Sequence, residues 1–229
     1  MITRPGCLAA IDVSAAQGRV DGVAVAAAGV AVAFVELGIG NDAPNPDRAA
    51  QVAALTAAGI DVRGYGFLYP LPSAATHPGR DPIAQAGAHV ALAREIGLDA
   101  KPLVADVEWP PPEAWGTWGV TAESIRAWVL AYLAEVERLT GITPWVYVAP
   151  GFAEAIQAAL SPEFSRYPLW VAHWGVSSPD VPLPWSDWAV WQWSATGRVE
   201  GISGAVDLSW VRAMPPDEQP TRPSLAPVG

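Results

Sequence analysis

Short apolar runs alternate along the chain with longer stretches in which apolar positions recur at intervals of three and four. CLAAIDVS at 7–14, VAVAFVEL at 30–37, IDVRGYGFLY at 60–69, PLVADVE at 102–108 and PWVYVAP at 144–150 read as strands. Between them VAVAAA at 23–28, PDRAAQVAALTAAG at 46–59, DPIAQAGAHVALAREIG at 81–97 and TAESIRAWVLAYLAEVERLTG at 121–141 read as helices. In the last of these Ile125, Val129, Tyr132, Val136 and Leu139 form one apolar stripe. Thr121 precedes it as an N-cap and Gly141 follows it at the position where helices stop. Strand–helix alternation with apolar strands is the pattern of a parallel sheet covered by helices. Five such units can be counted. After Pro162 the pattern changes: YPLWVAHW, DWAVWQWSA and GAVDLSW are strand-like with no helix-length stretch between them, as if further strands close a barrel.

Composition narrows this picture. The chain has 229 residues, 51% hydrophobic and 16% charged, which suits one domain with a large core. The expected fold class is therefore α/β, an irregular single-domain β/α barrel over residues 1–213. The proline-rich PPDEQPTRPSLAPVG that follows Met214 reads as a tail or linker stub, 214–229. A net charge of −10 with 13 scattered Lys and Arg argues against nucleic acid or anionic lipid as a partner. The apolar run Val23–Val35 is broken by Gly29 and too short to span a bilayer, and MITRPGCLAA does not have the form of a secretory signal. Cys7, the one cysteine, reads as a small core residue.

Candidate chemistry lies where apolar runs end in acids. Asp12 ends the first strand, Asp106 and Glu108 end the fourth, and Asp207 is expected to end a late one. In parallel barrels those ends meet on one open face. Residues i and i+2 of a strand share a side, so Asp106 and Glu108 look the same way with Cα atoms about 6.6 Å apart. That is the scale of carboxyl pairs in glycoside hydrolysis, where one acid protonates the leaving oxygen and the other attacks or stabilises the anomeric centre. Mutual repulsion and partial burial would raise the pKa of one of them. Twelve tryptophans are many, and Trp191 and Trp193 share a strand face that could present flat surfaces to a sugar ring. His77, His89 and His173 are too dispersed for a metal site or a triad, and the glycine-rich GIGND and GISGA lack a Walker lysine and read as turns. No cofactor or metal is expected.

Taken together, IDVSAAQGRVDG at 11–22, RGYGFLYP at 63–70, PLVADVEW at 102–109, PWVYVAPGF at 144–152, PLWVAHW at 168–174 and VWQWSATGRVEGISGAVDLSW at 190–210 resemble glycoside hydrolase family 25, the Chalaropsis-type lysozymes. The resemblance implies a β/α barrel of five α/β units and three further strands. It also implies hydrolysis of the β-1,4 bond between N-acetylmuramic acid and N-acetylglucosamine. Glu108 falls on the proton donor, Asp106 on the nucleophile or stabiliser, and Asp12 and Asp207 on the other rim acids. Tyr65, Tyr147, Trp170 and Trp191 fall on aromatic positions around the groove.

Three departures stand out. Gly66 sits where a Tyr-His-Phe run would put histidine, Glu36 stands near a position that is usually basic, and PPPEAWGTWG is inserted after Glu108. The implied partner is the glycan strand of peptidoglycan, met by a monomer outside the membrane after release by a phage or by a specialised export route. The alternatives are a wall-glycan-binding or structural module of a phage particle or secretion apparatus that has lost turnover, and a hydrolase of chitin-like glycans.

Overall fold

The computed structural model describes residues 4–71 and 80–212; His77 and the stretch 214–229 expected as a tail lie outside the described residues. The chain orders its elements as β1 (Cys7–Val13), α1 (Gly22–Ala27), β2 (Val32–Ile39), β3 (Ala43–Pro44), α2 (Arg48–Ala57), β4 (Asp61–Phe67) and α3 (Pro82–Glu95). There follow β5 (Val104–Asp106), α4 (Trp115–Trp118), α5 (Ala122–Thr140), β6 (Trp145–Val148), α6 (Pro150–Ala155), β7 (Leu169–Ala172), β8 (Val190–Gly197) and β9 (Val206–Arg212). The sheet order is β1-β9-β8-β7-β6-β5-β4-β2, and a β1–β2 pairing closes it into an eight-stranded barrel with β3 outside as a hairpin arm of β2. Strand–helix units end with α6, and no α-helix separates β7, β8 and β9, in agreement with the change of pattern after Pro162. β9 runs antiparallel to both its neighbours.

Local signals set the helices that brace this ring. In α5 the Thr121 hydroxyl accepts from Ser124 N while the Ser124 side chain accepts from Thr121 N, so two amide donors with no intrahelical partner are satisfied reciprocally. Gly141 ends the helix at φ 71°, a left-handed conformation that costs a glycine little. Ile125, Val129, Tyr132 and Val136 are buried, as the stripe requires, and each of the three aliphatic side chains contributes about 1.5–3 kcal/mol by leaving water. Asp81 caps α3 through Ala84 N.

Strand alternation sorts the core into two layers. Ile11, Val35, Val62, Ala105, Val146 and Val171 face outward against the helices. Phe34, Val104, Trp145, Trp170 and Val190 face inward and fill the barrel. Trp170 is central to the inner layer: its ring packs 4.2 Å from Phe34 and 5.0 Å from Tyr147, and its Nε1 donates to Ser209 Oγ at 3.2 Å. The interior is thus filled by side chains beneath, and a pocket opens above them at the rim.

Gly66 has a steric explanation. It faces outward on β4, where an added Cβ would lie 2.1 Å from Nδ1 of His89 on α3. That nitrogen hydrogen-bonds the Tyr132 hydroxyl at 2.8 Å. The imidazole expected from the strand is replaced in space by one from the helix. Burial pulls the His89 pKa down to about 4, so the ring is neutral at ordinary pH. Gly66→Ala is expected to cost about 1–3 kcal/mol in urea unfolding through overpacking. The cost should shrink in a His89→Ala background, where the obstructing ring is gone.

Candidate active site

The ends of the parallel strands deliver acids to one place. Asp12 lies near the end of β1, Asp106 ends β5, and Glu108 follows two residues later on the same side. Asp207 departs from its expected position: it is the second residue of β9, not near its end. Because β9 is antiparallel, its start reaches the rim where the parallel strands finish, and Asp207 pairs in register with Asp12. These four carboxyls line a pocket of about 360 Å³ together with Glu36 of β2. Tyr65, Phe67, Tyr147 and Trp170 form aromatic parts of its wall and floor, and Trp174 and Gln192 complete one side.

Gln192 organises this rim. Its Nε2 donates to Asp12 Oδ2 at 3.0 Å and to Asp207 Oδ2 at 3.3 Å, while its Oε1 accepts from the Tyr147 hydroxyl at 3.0 Å and Trp174 Nε1 at 2.9 Å. One neutral amide therefore ties two acids to two aromatics. Asp12 is raised well above the usual carboxylate range by burial first and by the nearby Asp207 charge second, and the Gln192 hydrogen bond pulls the other way. Burial also raises Asp207, with its hydrogen bond to Asp12 holding it back.

The Asp106–Glu108 pair divides by depth. Asp106 is buried, its Oδ1 has no hydrogen-bond partner among the described residues, and burial followed by the Glu108 charge raises it strongly. Glu108 is exposed to the groove, and is raised by partial desolvation and then by Asp207. Among the described residues no group of three or more His, Cys, Asp or Glu side chains is arranged to hold a metal ion.

Of the aromatic expectations, Tyr65, Tyr147 and Trp170 line the pocket, with Trp170 as a floor only 2% exposed. Trp191 does not. On β8, Val190 and Gln192 point into the barrel, so Trp191 and Trp193 point out. Trp191 is buried in the outer core, where its Nε1 donates to His173 O and the Arg4 guanidinium lies 4.8 Å over its ring. Trp193 stacks on Trp210.

Sequence reasoning missed Gln192 and Trp174. Gln192 is the polar residue of an otherwise apolar V-W-Q-W run, and Trp174 stands four residues after Trp170 in the strand-like PLWVAHW, two residues beyond the end of β7, so a signal existed for both.

The model of glycosyl hydrolases family 25 matches residues 11–202. The chain is similar to lysozyme M1 of Streptomyces globisporus, 31% identical over 199 residues that cover 86% of this chain and 65% of that protein. It is also similar to an autolytic lysozyme of Clostridium acetobutylicum, 27% identical over 86% of this chain and 54% of that one. The chain thus spans less than two thirds of the length of these relatives. Among solved structures, a bacterial lysozyme from Streptomyces coelicolor superposes with a TM-score of 0.79 at 26% identity, covering 92% of this chain and 94% of that one. A family 25 lysozyme from Aspergillus fumigatus shares the fold with a TM-score of 0.75 at 20% identity, covering 93% and 96%.

The raised rim carboxyls have a consequence for stability. Between the ordinary carboxylate range near pH 4 and their raised values, the folded chain holds protons that the unfolded chain has released, so stability falls as pH rises through that window. Asp61, whose pKa is lowered by Lys101 and Arg63 against the opposing effect of burial, acts below the window. Urea unfolding should therefore show a more stable protein at pH 5 than at pH 7. Asp12→Asn should flatten that slope and add about 0.5–2 kcal/mol at pH 7.

Proposed function

The chain belongs to glycosyl hydrolase family 25, and on that premise we propose that it is a peptidoglycan hydrolase, a muramidase that cleaves the β-1,4 bond between N-acetylmuramic acid and N-acetylglucosamine. The observation that carries this reading is the Asp106–Glu108 pair in one pocket, with Glu108 open to the groove and Asp106 buried behind it. Glu108 is the general acid: its raised pKa keeps a proton available, which passes to the glycosidic oxygen as the carbon–oxygen bond breaks. Asp106 has an oxygen with no partner among the described residues. It serves the anomeric centre either by direct attack or by accepting the N–H of the sugar's own acetamido group while that group attacks. Positive charge developing on the sugar ring favours the ionised form of Asp106 and so offsets the effect of burial. Water then adds to the anomeric carbon and returns a proton to Glu108.

Asp12 and Asp207, fixed by Gln192, flank this pair and present carboxyl oxygens to the rim where the oxocarbenium-like charge appears. Trp174, half exposed and anchored through Nε1 to Gln192, offers the sugar a flat face, and Tyr65 and Tyr147 bound the groove. The partner is a glycan strand of the cell wall, so the site of action is the wall outside the membrane, and release by a phage as an endolysin is one route there. Among the described residues no helix is long and apolar enough to cross a membrane.

Purified peptidoglycan treated with the protein should lose turbidity, and mass spectrometry of the digest should show muramic acid at the new reducing ends. Glu108→Gln should lower kcat by roughly 10²–10⁴-fold with the fold intact by circular dichroism. Full activity in that variant would refute the assignment of the acid. The rate should fall at high pH as Glu108 loses its proton. In Asp207→Asn, which removes the second contributor to the Glu108 shift, that alkaline limb should move to lower pH.

A further inference from the structure

Glu36 takes no part in the chemistry above, yet it lies in the same pocket. Its residue is only 8% exposed, and among the described residues its carboxylate makes no hydrogen bond or ion pair. The main chain there is pinned: Glu36 O accepts from Asn45 Nδ2 at 3.0 Å, and Asn45 in turn holds Gln51 at 3.1 Å. The register between β2 and β4 shifts immediately beyond it, between Glu36 and Gly38. Partial burial raises the Glu36 pKa, while its carboxylate opens onto the cleft with no cation beside it among the described residues, and a ligand cation would supply one. The rest of the lining contains four more acids and, among the described residues, no Lys or Arg. Such a pocket repels carboxylates and favours an ammonium group.

We propose that Glu36 is a specificity residue that recognises the free amine of an N-deacetylated glucosamine in the glycan strand, at a sugar next to the one whose bond is cut. An acetylated nitrogen offers the carboxylate one neutral N–H. An ammonium offers three charged donors, and charge-assisted hydrogen bonds are roughly twice as strong as neutral ones. Carboxylates of the wall peptides find no cation in the pocket, so they do not compete for this position.

The proposal rests on the glycan-hydrolase reading and is tested beside it. Enzymatically N-deacetylated peptidoglycan is compared with the same material re-acetylated by acetic anhydride, using the rate of reducing-end release. The wild-type protein should prefer the free-amine wall by about tenfold, the scale of one charge-assisted hydrogen bond, and Glu36→Gln should bring the ratio close to one. A wild-type ratio at or below one, or the same ratio in both proteins, overturns the proposal. If Glu36→Gln folds poorly, the volume-matched Glu36→Met replaces it. Calorimetric titration of the Glu108→Gln protein with a glucosamine tetramer and an N-acetylglucosamine tetramer separates the two readings. If neither wall is cut, the muramidase reading fails, while tighter binding of the amine tetramer that is lost on changing Glu36 still upholds the recognition. Equal or weaker binding of the amine tetramer overturns it.

Discussion

The site depends on holding like charges together against their repulsion. Asp12, Asp106, Glu108 and Asp207 share one rim; burial raises all four, and the charge of a neighbouring acid adds to the rise at Asp12, Asp106 and Glu108. Nothing local would keep such a group assembled. What does so is closure of the sheet: backbone hydrogen bonds from β1 to β9 and from β1 to β2 fix where each acid emerges, whatever the carboxyls would prefer. The cost of that arrangement falls on the folded state, and the return is acids able to keep protons above the usual carboxylate range.

Beneath the rim, the inner layer makes this tolerable. Phe34, Trp145 and Trp170 fill the barrel, so the acids sit on a solid apolar floor that raises their pKa and does not give way. Gln192 is the neutral element in a charged setting. A cation in its place would neutralise Asp12 and Asp207, and an apolar residue would leave them unbridged, whereas an amide can donate to two acids while accepting from Tyr147 and Trp174.

Two departures from the resemblance have different physical meanings. At Gly66 the chain preserves an occupied volume by other means, since His89 of α3 fills the space that a strand side chain would need, and the change is a repacking behind the site. At Glu36 a further acid lines the pocket, raised by burial and without a hydrogen-bond or ion-pair partner among the described residues. The two positions thus act in different places, one on the outer face of β4 against a helix and the other on the inner face of β2 at the pocket.

The sequence by itself determined the elements and their kind. The apolar stripe of α5 with Thr121 and Gly141 at its ends, the five strand–helix units, and the shared direction of Asp106 and Glu108 all follow from periodicities of 3.6 and 2, which are local properties of the chain. The tertiary structure alone decided which face of each strand became the inside. The same alternation that pairs Trp191 with Trp193 leaves their side undetermined, and closure of the barrel turned them outward and Gln192 inward. It also decided that β9 runs backwards, so that Asp207 reaches the rim from the start of its strand. Strand direction and inside-versus-outside are set by contacts between residues far apart in the chain, as from Asp12 to Asp207, and no local period encodes them.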